Sequence, residues 1–166
     1  AGICMIGAAS PGPSLGVVLG NTVAGGRASG VATGLGHGLG VGIYASLAVA
    51  GMAVLLTTAP ALFVGLQLLG ALFLVWLAVQ MLRKPSGAAP PPTTSGRGFR
   101  QGFLVAFLNP KIAVFFLALF SQLVDPDATG VERAGMGLLA GSIDAGWYVL
   151  VAVVLSGTGL GPWLQA

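Results

Sequence analysis

Charge is what this sequence has least of. Only 7% of its 166 residues are Asp, Glu, Lys or Arg, whereas a soluble domain is usually about 25% charged. The apolar residues form long runs, and the mean hydropathy is +0.95. Because so few charges cannot cover the surface of a soluble protein, the composition indicates a polytopic membrane protein.

Other scarcities exclude further classes of protein. The single cysteine, Cys4, has no partner for an internal disulfide and forms no metal-ligand spacing. The formal net charge is only +3, and no basic face exists outside the predicted loops, which argues against nucleic-acid binding despite a pI of about 9.6. No basic region typical of a signal peptide precedes the first apolar run. We therefore expect no nucleic-acid partner, no cofactor and no metal.

Five apolar segments are long enough to cross a hydrocarbon core of ~30 Å at ~1.5 Å per residue. They cover approximately residues 3–24, 28–57, 61–82, 101–124 and 134–157. Residues 83–100 are rich in Pro, Gly, Ser and Thr, which predicts a solvated linker. Five cations lie in this linker and in the loop after the first segment, against one on the other side. The positive-inside rule therefore predicts a cytoplasmic linker and an N-terminus outside.

Two charged residues fall inside the apolar segments. Lys111 is eleven residues past Arg100, and Asp144 is eleven past Arg133, so each is predicted about 15 Å into the membrane, from opposite sides. An ionised residue near the midplane costs several kcal/mol unless it is paired or hydrated. We therefore expect an ion pair between Lys111 and Asp144, or a water-filled cavity that both share. Asp144 is the candidate for proton coupling.

Two further polar or aromatic residues lie near this level. His37 falls near the middle of the second segment, and an imidazole that titrates near neutral pH would suit a proton relay. The favoured interpretation is a packed histidine that donates a hydrogen bond to a carbonyl of the next helix. Trp147 lies one turn from Asp144 and is a weaker site candidate.

Prolines interrupt two of the segments. Proline lacks an N–H and clashes with the preceding turn, so each interruption frees backbone groups that lipid cannot solvate. Transporters place paired breaks at the midplane, where free amides and half-helix dipoles meet the charged ends of small substrates. The predicted transport residues, with the midplane carboxylate, are Pro11, Gly12, Pro13, Asn109, Pro110, Lys111 and Asp144.

The two halves of the chain echo each other. Each begins with a proline-broken segment, and the next segment carries GIYASLAVAG in the first half and GWYVLVAVVLSG in the second. Three segments separate the two starts, and an odd number inverts the second half. The predicted fold is an all-α polytopic membrane helical bundle of two inverted three-helix repeats with proline-broken first helices. The repeats occupy 1–82 and 101–166, with the linker at 83–100 and the sixth helix missing.

Glycines recur at helical spacing along the first two segments. They lie four residues apart at Gly12, Gly16 and Gly20, and again at Gly30, Gly34, Gly38 and Gly42. This spacing predicts a groove that lets a neighbouring backbone approach closely. Tight packing within one bundle is the favoured interpretation. A face for a second copy of the chain, giving a homo-oligomer, or a substrate path is the alternative.

Four stretches resemble, in order, parts of the LysE/RhtB (lysine exporter) family of amino-acid exporters. They are SPGPSLGVVLGNTVAGGRASG at 10–30, LLGALFLVWLAVQMLRKP at 68–85, FRQGFLVAFLNPKIAVFFLALFSQLV at 99–124 and DAGWY at 144–148. The resemblance implies export of amino acids or close derivatives across the bacterial inner membrane by proton antiport. Its motifs map onto 11–13 and 109–111. The chain departs from the family in lacking a sixth span, and in carrying His37 and a Gly-Val-Gly run at 40–42 where an acidic or amide residue is often seen.

Three other functions stay open at this point. A metal or other cation exporter on a related fold is disfavoured, because the spans offer only Cys4, His37 and Asp144 as ligands. An enzyme is not expected, since Ser142 and Asp144 are two residues apart and do not face each other on a helix. A membrane structural protein that transports nothing is the remaining alternative.

Overall fold

The computed structural model describes residues 2–62, 64–65, 68–69, 72, 97–123, 125 and 127–157. Five helices have defined bounds: α1 (Gly2–Ala9), α2 (Pro13–Thr58), α3 (Gly98–Phe107), α4 (Pro110–Leu123) and α5 (Gly130–Gly157). The described residues between 60 and 72 are also helical, and no described residue is in a strand. The prediction of an all-α membrane helical bundle is confirmed. Most of the third predicted segment, and linker residues 83–96, lie outside the described residues.

Helix α2 folds back on itself at Gly26. This glycine has φ 72° and ψ −176°, a backbone conformation that favours glycine because it has no Cβ. The Asn21 Nδ2 atom donates to Thr33 Oγ1 at 2.9 Å, whereas twelve residues of straight helix would separate these positions by about 18 Å. Helix α2 therefore consists of a first arm (13–25) and a second arm (27–58). The turn falls between the first and second predicted segments.

Length and composition identify two helices that are able to cross a membrane, Pro13–Gly51 and Gly130–Gly157. The bent pair Gly98–Phe107 and Lys111–Leu123, at 55° to each other, adds a third if the pair forms one span. Because the first candidate turns back at Gly26, it is two neighbouring arms rather than one straight crossing. The described helices are thus those of a multi-pass bundle.

Glycines let the second arm of α2 pack closely on two neighbours. Gly34, Gly38 and Gly42 face α5, and a Cβ built on Gly38 would lie 2.7 Å from the Gly141 carbonyl oxygen. On the side that faces α3, a Cβ on Gly102 would overlap the carbonyl of Thr33. Such contacts bring helix backbones together without side chains between them. The predicted tight packing within one bundle is confirmed for this arm.

Larger side chains fill the space between α4 and the second arm. Phe115, Phe116 and Phe120 of α4 are buried in one cluster with Val41 and Ala45 of α2. Each buried aromatic ring contributes a large apolar contact area to the packing, and pairs of rings also form edge-to-face or stacked contacts. Phe116 and Phe120, for example, stack with their ring centroids 5.6 Å apart. This cluster positions α4 on the face of α2 that carries His37 and its neighbours.

Candidate functional site

Each of the two predicted helix breaks ends where a proline begins the next helix. The first break separates α1 from α2, which begins at Pro13, and the second separates α3 from α4, which begins at Pro110. Proline suits the first helical position because its φ is preset and an N–H there would have no helical partner. The proline-broken first helices of both halves are confirmed. Lys111 therefore lies in the first turn of a new helix, and not in the middle of a helix that proline interrupts.

Local hydrogen bonds fix both helix starts. The Asn109 Oδ1 atom accepts from the backbone N–H of Lys111 at 3.0 Å, a side-chain cap of the kind that asparagine makes before a helix. The Gly12 carbonyl accepts from the Gly16 N–H at 3.3 Å at the start of α2. The remaining first-turn amides of a helix have no helical carbonyl to bind, and the helix dipole makes that end positive.

The ammonium group of Lys111 joins the two breaks. Its Nζ donates to the Ser10 hydroxyl and lies 3.5 Å from the Pro11 carbonyl oxygen. The backbone of Gly12 is also close, since a Cβ built there would lie 3.6 Å from Nζ. The two interruptions predicted from sequence therefore touch each other, although the contact residues are about 100 positions apart.

Asp144 pairs with His37, and not with Lys111. The His37 Nδ1 and Asp144 Oδ2 atoms are 2.5 Å apart, and the two residues are only 1% and 6% exposed. The expected ion pair between Lys111 and Asp144 is wrong, because Lys111 is held by Ser10 instead. The expectation that His37 donates to a carbonyl is also wrong, because its partner is a carboxylate.

Tyr148 completes the surroundings of this pair. Its ring packs edge-on against the His37 ring with centroids 4.6 Å apart. Its side chain hydrogen-bonds that of Ser14 in the first turn of α2. The other nitrogen of the histidine, Nε2, is buried and has no hydrogen-bond partner among the described residues. The pair is thus tied to one helix start through Tyr148 and retains one unsatisfied polar atom.

A cavity between the breaks connects these groups. Its polar lining includes Ser10, Ser14, His37, Asn109, Lys111, Asp144 and Tyr148. The space open to the centres of water molecules is about 40 Å³. Because one water needs about 10–15 Å³ of such space, there is room for roughly three waters. The shared cavity expected for Lys111 and Asp144 is therefore present.

The other predicted residues take structural places around this cavity. Gly12 and Pro13 line it directly, Pro11 contributes its carbonyl to Lys111, and Pro110 begins α4. Trp147 is not part of the lining that the structure describes, and it packs partly buried against the cluster around Val18. The described residues hold no group of three or more His, Cys, Asp or Glu side chains able to bind a metal ion.

A buried polar layer lies between this site and the Gly26 turn. The Asn21 amide donates to Thr33 Oγ1 at 2.9 Å and to Gln101 Oε1 at 3.0 Å. These three residues, here called the polar layer, join the first arm, the second arm and α3. Thr33 is one turn before His37 on the second arm, so the layer closes the bundle directly next to the site.

Sequence reasoning missed Ser14, Tyr148 and the polar layer. A signal existed for Tyr148, since it lies four residues after Asp144 and so shares its helix face. No comparable signal existed for Asn21 or Gln101, because their contact depends on the fold-back at Gly26.

These features define a class of protein: a multi-pass membrane bundle whose polar site lies between broken helices, as in secondary transporters. The model of the LysE type translocator family matches residues 5–158. The chain belongs to this family, as its motifs predicted.

Relatives with curated names are similar over most of the chain. The threonine efflux protein of Escherichia coli (strain K12) is 29% identical over 151 residues, which cover 86% of this chain and 73% of that protein. The leucine efflux protein of Enterobacter sp. (strain 638) is 34% identical over 124 residues, covering 72% and 59%. An uncharacterised membrane protein of Pseudomonas aeruginosa is 30% identical over 138 residues, covering 78% and 62%. No solved structure matches the chain.

Proposed function

We propose that the protein is a secondary transporter that exports amino acids from the cytoplasm across the bacterial inner membrane. Its family and the names of its relatives support this function. The observation that carries the proposal is the cavity, which presents an ammonium group on α4 and a carboxylate on α5 to one enclosed space. A zwitterion has one group complementary to each. No catalytic role is proposed for any residue.

The substrate carboxylate binds at the helix starts. There it meets the Lys111 ammonium and the first-turn amides of α2 and α4, which are suited to anions. In the present state the Ser10 hydroxyl accepts from Lys111, and the incoming carboxylate takes its place. Asn109, Pro110 and the 11–13 turn act through the backbone, since they set where each helix begins.

The substrate amino group binds at Asp144. This residue supplies the carboxylate on the described cavity wall, and a buried carboxylate is a strong acceptor for an ammonium group. The same residue links export to protons, because it is bound alternately by the substrate ammonium and by a protonated partner. Proton antiport then drives the amino acid outwards.

The test is transport by the purified full chain in liposomes. Vesicles loaded with labelled threonine or leucine and placed under a pH gradient should release the labelled amino acid faster than vesicles that contain no protein. Asp144→Asn should abolish this release, whereas Lys84→Ala, a change of a cation in the linker, should leave it intact. No flux for any of the standard amino acids under an imposed pH gradient would sink the proposal.

A further inference from the structure

We propose that His37 is the residue that carries the coupling proton, and that the ammonium group of the exported amino acid displaces His37 from Asp144. The carboxylate of Asp144 then pairs in turn with the protonated His37 and with the ammonium group of the amino acid. The proposal rests on the proposed export function and adds the identity and the charge movement of the coupling step.

The hydrogen bond between the two residues sets which nitrogen is available. With Asp144 ionised, its Oδ2 atom only accepts, so the hydrogen is assigned to the His37 Nδ1 atom, 2.5 Å away. The neutral ring then has its lone pair on Nε2. That atom is buried and has no hydrogen-bond partner in the part of the chain that the structure describes, which is costly for a polar atom. A cavity water that hydrogen-bonds Nε2 removes this cost, and the same water can deliver a proton to it.

His37 is part of the cavity wall, and the proposed step requires a cavity water to reach its buried Nε2 atom. The cavity has room for roughly three waters, and waters relay protons between polar groups. A proton from the outside forms an N–H bond at Nε2 and gives an imidazolium paired with Asp144. On the cytoplasmic side that N–H bond breaks and the proton returns to water. Neither step needs another reactant.

Among the described residues, Asp144 and Tyr148 of α5 contact the His37 side chain. Lys111 of α4, Cys4 of α1 and Ser14 of the first arm line the same cavity. Lys111 and a protonated His37 would repel each other in a medium of low dielectric constant. Asp144 is therefore needed to stabilise the protonated His37. Its single negative charge can pair either with this imidazolium or with the ammonium group of the substrate.

The charge of the cavity follows from this competition. With neutral His37, the Lys111 and Asp144 charges cancel. Protonation of His37 gives a net charge of plus one, whereas a bound zwitterion leaves zero. Holding both at once would place an ammonium and an imidazolium on one carboxylate, which is unfavourable in the membrane interior. Each cycle therefore exchanges one proton inwards for one zwitterion outwards and moves one positive charge.

The first experiment compares two assays on the full chain in liposomes with threonine as the probe. One assay is counterflow of labelled against unlabelled threonine without a gradient, and the other is accumulation driven by a pH gradient. His37→Gln preserves a hydrogen-bond donor for Asp144 but cannot accept the proton. We expect the ratio of driven accumulation to counterflow to fall by at least about tenfold. Gly146→Ala, at an open surface position, is the matched control and should keep the wild-type ratio.

The outcomes separate the two proposals. If the wild-type chain shows no counterflow with threonine or any other amino acid, the export function fails. If wild-type transport is present and His37→Gln keeps the wild-type ratio, export stands and the role of His37 is overturned.

The second experiment needs no variant and so does not depend on folding of His37→Gln. The reversal potential of the wild-type current is measured at a fixed pH gradient. A tenfold threonine gradient should shift it by about 59 mV if one charge moves per zwitterion. A shift of about half that size, or transport without any current, would overturn the proposed exchange.

Discussion

Lys111 connects two helix starts through one side chain. Its backbone N–H is bound by the Asn109 side chain, and its ammonium group by Ser10 and the Pro11 carbonyl. The residue therefore contributes to the shape of the site as well as to its charge. A substitution at Lys111 alone would mix the two effects, and Ser10 offers a way to separate them.

Removing Lys111 should weaken substrate binding, whereas removing Ser10 should not. Lys111→Met takes away the cation that is proposed to bind the substrate carboxylate, and a hydrogen bond to a charged group contributes about 1.5–3 kcal/mol. The KM for threonine export should then rise by roughly tenfold or more. Ser10→Ala removes the group that competes with the carboxylate, so its KM should stay equal or fall. A rise in KM for Ser10→Ala would contradict carboxylate binding at this place.

Glycine contacts of the second arm should be intolerant of a single methyl group. A Cβ at Gly102 would overlap the Thr33 carbonyl, whereas Gly146 has no atom within 4 Å of such a Cβ. Gly102→Ala should destabilise the protein by about 1–3 kcal/mol through overpacking. Gly146→Ala should stabilise it slightly, because alanine favours a helix by about 1 kcal/mol over glycine. Thermal unfolding in detergent measures both, and equal Tm values would contradict the close packing.

At the scale of helices, proline and glycine residues mark where the helices begin and turn. Asn-Pro at the start of α4 and Gly-Pro at the start of α2 are sequence signals of a helix start. Gly26 similarly marks the end of the first arm. These local signals predict where helices begin and turn, because caps and positive φ values depend on neighbouring residues only. The breaks were accordingly predictable from sequence.

The pairing of side chains across helices was not predictable in the same way. Counting residues placed His37, Lys111 and Asp144 near one depth, because the rise of a helix is constant. Depth does not specify which faces of the helices meet. The partner of Asp144 is 107 residues away, and only the close glycine contacts between α2 and α5 determine that His37 reaches it.

The polar layer should open during transport. An exporter has to admit its substrate from the cytoplasm, and the Asn21–Gln101 hydrogen bond closes the side of the site next to the Gly26 turn. In a Cys4→Ser background, Asn21→Cys and Gln101→Cys bridged by a short reducible thiol cross-linker should stop threonine transport. Reduction should restore it.

The single-cysteine variants provide the control for this cross-link. Treated with the same reagent, Asn21→Cys alone and Gln101→Cys alone should retain most transport. Continued transport by the bridged double variant would show that the cytoplasmic entrance lies elsewhere.

At the scale of the whole molecule, orientation in the membrane is a prediction from charge. Five cations on the linker side, against one on the other, predict a cytoplasmic linker. In a Cys4→Ser background, Ala128→Cys in the loop between α4 and α5 should react with an impermeant maleimide on intact cells. Ser86→Cys in the linker should react only after permeabilisation. The reverse pattern would invert the proposed direction of every step.

The glycine contacts have a consequence for how the site recognises its cargo. Because the second arm is in direct backbone contact with α3 and with α5, we expect these three helices to move as one body. His37 and Asp144 belong to that body, whereas Lys111 belongs to α4, which packs on it through buried aromatic side chains. The two ends of a bound zwitterion would therefore rest on separate bodies. When substrate is bound, the separation of the two bodies is then set by the distance between the ammonium and carboxylate groups, which all α-amino acids share.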